Sequence, residues 1–409
     1  MERQTQVEII RELVRQLDEE VNIDAGVQYQ NPTSVYTDGE LATREWDELF
    51  RQHPQMIGLS GDLPETGSFV TLNDFGVPIL ATRDTSGTFR AFLNACRHRG
   101  VRVAGDARGK ANTFTCPFHH WTYSSAGDLV AVPREHDFGD IDKSCTGLFE
   151  LPAAEKYGLL WVHPRPGGEL DIDRLLGGLA PELAQANYGN LVYMGESVLR
   201  NDLNWKLAND TFGETYHFPR LHKDTLGQLF YGDALHYTEF ERNHRFVWAE
   251  RGMDHIRNMP EEEWDYELAT GQLYYLFPNI QLTGGMNACS LIKIYPDGDN
   301  PGRSITRVGH YASQALIDAN EPEDMDQAIS KEEVYGSERG IAGFSLRASQ
   351  EVFKSTIEQE DYLMGETTQK AAESGVMPFL KFGRNEPALH HYHNTFREAL
   401  GMEPLERVR

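Results

Sequence analysis

FLNACRHRGVRVAGDARGKANTFTCPFHHWTYSSAGDLVAVP, residues 92–133, decides how this chain is read. Cys96-Arg97-His98 and Cys116-Pro117-Phe118-His119 set two cysteines and two histidines in a Cys-x-His…Cys-x2-His arrangement across seventeen intervening residues. Two thiols and two imidazoles suit a tetrahedral zinc. They equally suit a [2Fe–2S] cluster with two thiolates on one iron and two imidazoles on the other. The spacing favours the cluster. A structural zinc more often takes a matched pair from each turn, two cysteines at one end and two histidines at the other. Here each loop is mixed, so both loops reach both irons. Gly100 and Pro117 add the small and rigid residues that let backbone approach a metal.

With those residues quoted, the segment from about 45 to 170 resembles the Rieske domain of ring-hydroxylating oxygenase large subunits. The resemblance assigns Cys96, His98, Cys116 and His119 to the cluster. One departure stands out. The second loop of that family usually reads Cys-x2-His-Gly-Trp, and His120 occupies the glycine position here, which should alter the cluster's surface.

A chain of 409 residues suggests two domains. Its 40% hydrophobic, 25% charged and 11% aromatic residues are those of a globular protein. A net charge of −25 argues against nucleic-acid and anionic-membrane partners, which require basic patches. Four cysteines, two of them in the motif, leave Cys145 and Cys289; a disulfide framework is not indicated, and a cytoplasmic setting fits. The N-terminal MERQTQVEIIRELVRQLDEEV lacks an apolar signal core, and no run of eighteen apolar residues exists.

Ile9, Ile10, Leu13, Val14, Leu17 and Val21 recur at helical spacing, predicting an amphipathic helix over 5–21. Residues 67–170 carry short apolar runs broken by turn signals, the pattern of a small antiparallel β-domain. From about 192 the segments lengthen. Residues 236–250 and 271–312 read as strands and 203–217 and 348–374 as helices, an α+β domain with one sheet wrapped around helices. The acidic stretches 260–266 and 319–338 read as solvated loops or short surface helices. The expected division is 1–44 as an N-terminal helical segment packing on the catalytic domain, 45–175 as the β-domain, and 176–409 as the catalytic domain.

NDLNWKLANDTFGETYHFPRLH, residues 201–222, contains His217, His222 and Glu214. Two histidines and one carboxylate with open positions are what a non-haem Fe(II) that binds dioxygen requires. Five residues along an ideal helix would turn the two histidines apart, and Pro219 resolves this by ending the helix near Phe218. Glu214 and His217, three apart, would share a helix face. Trp205, Ala208, Asn209, Phe212 and Tyr216 follow helical spacing and read first as core; Asn209 and Phe212 are also candidates for lining a substrate pocket. Asp361 falls inside an apolar stripe of Phe353, Ile357, Met364 and Thr368 on a late helix. A carboxylate there requires an ion-pair partner or a metal, and the pattern alone leaves both open.

The order of these three features resembles the α subunit of Rieske non-haem iron oxygenases, and the closing FGRNEPALHHYHNTFREALG is also similar to that family. The resemblance spans nearly the whole chain. It implies a helix-grip, START-like catalytic domain with a curved antiparallel sheet around a long C-terminal helix. It implies one [2Fe–2S] cluster and one mononuclear Fe(II) per subunit, the latter held by His217, His222 and Asp361, with O2 as co-substrate. It implies a bridging role for Glu214 between His217 and His119 of a neighbouring subunit, and hence head-to-tail homotrimers or multiples of them. The usual bridging residue is Asp, so Glu214 is one methylene longer. NAD(P)H and flavin enter only through a partner reductase, with or without a ferredoxin, because this chain has no dinucleotide fingerprint between a strand and a helix. The first expectation for the reaction is hydroxylation of an aromatic compound. The alternative is C–N or C–O cleavage, such as demethylation or attack on a betaine- or carnitine-like quaternary ammonium, for which Trp248, Tyr274, Tyr275 and Phe277 are candidate cation-facing rings. A pure electron carrier is the third reading.

Overall fold

The structure is a computed structural model, and the residues it describes are 1–186, 188–319 and 346–408. They fall into two compact units. One comprises Glu45–Leu175 with a short segment ending at Tyr193; the other comprises Met1–Arg44, Leu176–Ala186 and the chain from Met194 onward.

The first unit is built from short antiparallel strands. A five-stranded sheet orders Glu150–Leu151, Phe89–Leu93, Ile79–Arg83, Ser68–Leu72 and Arg108–Lys110. Two three-stranded sheets accompany it, one of them formed by Thr113–Thr115, Thr122–Ser124 and Leu129–Ala131. Phe69, Leu80, Phe92, Trp121 and Tyr123 form a buried cluster that includes Cys96 and Cys116. The first cysteine loop leaves the strand Phe89–Leu93, and the second connects Thr113–Thr115 to Thr122–Ser124. Asn94 braces the first loop. Its side-chain oxygen accepts from the Val103 and Ala104 N–H groups at 3.0 and 3.1 Å, and its amide donates to the Ala104 carbonyl at 2.9 Å.

The second unit is a seven-stranded sheet ordered Leu191–Asn201, Ser304–Ser313, Ala288–Pro296, Ile280–Gly284, Thr270–Leu276, Asn243–Glu250 and Phe230–Phe240. The N-terminal helix spans Arg3–Glu19 and buries Ile9, Ile10 and Leu13 against this unit. Gln16 finishes the edge strand: its amide donates to the Leu235 carbonyl at 2.9 Å and accepts from the Leu235 N–H at 2.8 Å. An exposed sheet edge would otherwise leave both groups for another chain. The helix stops before Val21, because Glu20 turns into the left-handed region at φ 53°.

The expected helix over 203–217 is corrected. Asn204 caps a helix that covers only Trp205–Asp210, accepting from the Lys206 N–H at 2.9 Å. Residues 211–225 then run through successive turns. Tyr216, expected in the core, is exposed. The strands read over 236–250 and 271–312 separate into hairpins, the first turning at Glu241 with φ 52°.

The late helix runs Leu346–Thr356, opens into a π-turn at Ile357–Asp361, and continues as Tyr362–Glu373. The apolar stripe holds at Ile357 and Asp361, which are both buried, and fails beyond them. Met364 is exposed, whereas Ala348, Val352 and Thr356 face inward before the π-turn and Gly365 and Gln369 after it. Within the π-turn Ile357 and Asp361, four apart, both face inward. Of the acidic stretches, Glu261–Glu263 forms a short exposed turn, and nearly all of 319–338 lies outside the described residues. No helix among the described residues is long and apolar enough to cross a membrane.

Candidate metal centres

The two cysteine loops close identically. The Cys96 N–H donates to Val101 and Cys96 accepts from the Gly100 N–H; Cys116 donates to Trp121 and accepts from the His120 N–H, all at 2.8–2.9 Å. This winding wraps backbone around each thiol. Cys96 and Cys116 are both free and buried. The His98 and His119 rings lie 4.6 Å apart, and each has a buried Nδ1 with no hydrogen-bond partner among the described residues. Trp121 stacks on His98 at 5.2 Å. Burial first, then the neighbouring His119 and Arg99, hold His98 below its usual imidazole range, so it stays the neutral ring a metal requires.

Tyr123 supports one thiol. Its hydroxyl accepts from the Arg97 N–H at 3.0 Å and lies 3.3 Å from Cys96 Sγ. Burial and that sulfur contact both raise its pKa, so the hydroxyl keeps its proton and donates it to sulfur. Two orphaned imidazole nitrogens and two buried thiols, one already hydrogen-bonded, are a donor set that fits a Rieske [2Fe–2S] cluster.

The second centre gathers His217, His222 and Asp361, whose candidate ligand atoms all lie within 4.8 Å of one another. Asp361 Oδ1 is 3.3 Å from His217 Nε2 and 3.1 Å from His222 Nε2. The far side of each ring is held by a carboxylate. His217 Nδ1 meets Glu214 Oε1 at 2.5 Å, and the same carboxylate accepts from the His217 backbone N–H at 3.1 Å. His222 Nδ1 meets Glu360 Oε2 at 2.7 Å, and Thr225 donates to that oxygen at 2.9 Å.

Glu214 therefore braces His217 within a turn, not along the helix face the sequence suggested. Glu360 is a site residue that sequence reasoning missed. The only signal was its place beside Asp361, and in a regular helix adjacent residues diverge by about 100°. The two carboxylates reach opposite nitrogens of the same ring, Nδ1 for Glu360 and Nε2 for Asp361.

Burial alone would lower the His217 pKa, but the Asp361 and Glu214 carboxylates outweigh it and push it up to about 10. Burial would likewise raise Asp361, and the hydrogen bonds from His217 and His222 hold it low instead. An ionised aspartate between two imidazoles is a place for a cation. A metal replaces the protons there, and the carboxylates behind the rings fix which nitrogens face it.

A cavity of about 460 Å³ opens on this triad, a size suited to a small organic molecule. Phe212 lines it, but Asn209 does not. Asn209 is fully buried, with its side-chain oxygen accepting from Gln281 at 2.8 Å, and serves the core. Among the rings expected to face a cation, only Trp248 lines the cavity. Tyr275 packs against Tyr392 at 4.5 Å, Tyr274 donates to Glu182 at 3.2 Å, and Phe277 packs against Phe396 at 6.0 Å, all as core.

A chain of rings runs through the lining instead. His222 to Phe218 is 5.5 Å, Phe218 to Phe230 is 5.9 Å, and Phe230 to Trp248 is 5.6 Å. Trp248 has room because Gly271 lies opposite it in register; a Cβ there would come within 2.2 Å of the indole.

Residues 188–402, more than half of the chain, match the family described as ring hydroxylating alpha subunit (catalytic domain), and residues 53–148 match the Rieske [2Fe-2S] domain. The oxygenase subunit of glycine betaine monooxygenase from Chromohalobacter salexigens is 32% identical over 201 residues, covering 48% of this chain and 44% of that one. The large subunit of anthranilate 1,2-dioxygenase from Acinetobacter baylyi is 31% identical over 200 residues, covering 47% and 42%. The matched region thus spans less than half the length of these curated relatives. Among solved structures, the quaternary ammonium Rieske monooxygenase CntA in complex with L-carnitine superposes with a TM-score of 0.72 at 18% identity, covering 93% of this chain and 97% of that one. That likeness is one of fold.

Proposed function

This chain belongs to the α subunits of Rieske ring-hydroxylating oxygenases, and on that premise we propose that it is the terminal oxygenase component of a multicomponent system acting on a small organic cation. Electrons originating in NAD(P)H reach it through a separate flavin reductase, with or without a ferredoxin, and it works as a homotrimer or a multiple of one. The bound iron supplies activation of O2 for insertion into a C–H bond of the substrate.

The chain's own residues prepare that chemistry. Glu214 and Glu360 fix His217 and His222 so that both Nε2 atoms face Asp361. Phe218, Phe230 and Trp248 wall the site in apolar surface that displaces water from the reacting carbon. By family carry-over, Glu214 also links His217 to His119 of the partner subunit, giving electrons a hydrogen-bonded route across the subunit boundary.

The single observation that carries the substrate reading is a carboxylate, Glu250, placed among those aromatic walls. Rings alone suit an aromatic compound and a quaternary ammonium equally. A carboxylate beside them favours the cation. Oxygen insertion next to nitrogen puts one atom of O2 into the substrate and releases the other as water, consuming two electrons and two protons. From an N-methyl group the product breaks at the C–N bond to give formaldehyde and the demethylated amine.

Ring hydroxylation of an aromatic compound is the second reading, favoured by the predominantly apolar lining and by the first cluster loop, FLNACRHRG. Turnover with a panel of trimethylammonium compounds and neutral aromatic hydrocarbons separates them. Substrate-dependent O2 uptake with the cations supports the first reading, and uptake with the hydrocarbons alone replaces it with the second.

A further inference from the structure

Two acidic groups in the wall of the cavity are not used by the iron chemistry, Glu250 and Glu267; Glu267 accepts from the Met286 N–H at 3.3 Å, which leaves Glu250 to be explained. Phe246, Trp248 and Glu250 alternate along one strand and therefore share a face. Glu250 pairs in register with Phe230 on the neighbouring strand, and the Phe230 ring lies 5.6 Å from Trp248. The Glu250 carboxylate makes no hydrogen bond or ion pair among the described residues, and burial alone pushes its pKa up to about 7. A carboxylate kept in apolar surroundings without a partner is costly unless something brings the partner. Trp248 is the second observation. Its indole is buried and lines the cavity, yet its Nε1–H has no acceptor among the described residues. Among the described residues no Lys or Arg lines the cavity, so nothing there answers a carboxylate on the substrate.

We propose that Glu250 is a specificity-determining residue that selects substrates of net positive charge over zwitterions carrying the same ammonium group. This rests on the oxygenase reading for its purpose, but not for its measurement. The ammonium head lies against the faces of Phe230 and Trp248, where ring quadrupole and carboxylate attract it together. An uncharged oxygen of the same substrate, a hydroxyl or a carbonyl, accepts from Trp248 Nε1. A zwitterion brings its own carboxylate into a pocket already holding Glu250, Glu267, Glu214 and Asp361, where like charges repel.

The test is calorimetric titration of the iron-loaded protein with choline and with glycine betaine, which share a trimethylammonium head and differ in net charge. The expected result is at least tenfold tighter binding of choline, with the ratio collapsing toward one in Glu250→Gln and partly retained in Glu250→Asp. Iron content and circular dichroism report that each variant is folded. No detectable choline binding, a preference for betaine, or an unchanged ratio in Glu250→Gln overturns the proposal. Oxygen uptake is read separately. Glu250-dependent choline binding without uptake sinks the oxygenase reading and leaves the selectivity standing. Uptake with an uncharged substrate and no cation binding does the reverse.

Discussion

Gly100 and His120 occupy the same position in two loops of the same shape. Each donates its backbone N–H to the carbonyl of the cysteine four residues earlier, and each has positive φ, 73° for Gly100 and 57° for His120. The geometry of the turn demands the left-handed region at this point, and glycine enters it freely while histidine does not. His120 is exposed, so its side chain gains little burial in return. Replacing His120 with Gly should therefore stabilise the cluster-loaded protein by about 1 kcal/mol, read as a higher midpoint for denaturant-induced loss of cluster absorbance. A lower midpoint would mean that the imidazole makes a stabilising contact that offsets its backbone strain.

Glu360 holds His222 from behind while Asp361 faces it in front. Outer carboxylates of this kind orient the ring and raise its basicity. Glu360→Gln should weaken iron binding at the second centre by about 10–100-fold, measured by competition with a chelator, while cluster absorbance stays intact. Equal iron retention in wild type and variant would reduce Glu360 to a packing residue.

Glu214 carries two duties in this account, bracing His217 and linking it to the partner subunit. Glu214→Gln keeps a side chain of the same length and removes the charge. Both metals should stay bound, and reoxidation of the reduced cluster in a single turnover should slow at least tenfold in stopped-flow absorbance. A variant that empties the iron site instead would show that the bracing role dominates.

Glu250 makes a prediction about stability that does not depend on substrate. Its carboxyl has a higher pKa in the fold, about 7, than in the unfolded chain. The folded state consequently binds the extra proton, and stability falls as pH rises from the unfolded value to about 7. The cost above that window is up to ~3 kcal/mol for a shift of this size. Glu250→Gln should melt with the wild type near pH 4 and above it by pH 8. Melting curves that shift in parallel across that range would mean that Glu250 has a partner that holds it ionised.

The legible part of the sequence was the part in which chemistry dictates spacing. Cys96, His98, Cys116 and His119 are fixed by two short loops, and residues a few positions apart in a tight turn have few ways to converge. His217 and His222 were legible for the same reason, although the helix gives way after Asp210 and not at Pro219. Asp361 was legible as a carboxylate inside the apolar stripe, and only the family resemblance chose a metal over an ion pair for it. Glu360 carried no such mark, and Met364, drawn into the same stripe, faces solvent. Tyr274, Tyr275 and Phe277 looked like a cation site because aromatic residues on a strand carry no mark of what covers their face. The helix at Arg3–Glu19 packs where its periodicity indicated, but Gln16 capping the edge strand at Leu235 is a pairing across more than two hundred residues that local pattern does not contain.

The most direct measurement is iron per chain in the reconstituted protein, wild type and Asp361→Ala, taken with substrate-dependent O2 uptake. Two centres require two irons in the cluster and one at His217, His222 and Asp361. Three irons and O2 uptake are expected for the wild type, and two irons, an intact Rieske spectrum and no uptake for Asp361→Ala. Two irons in the wild type, or undiminished uptake in the variant, would contradict the two-centre reading.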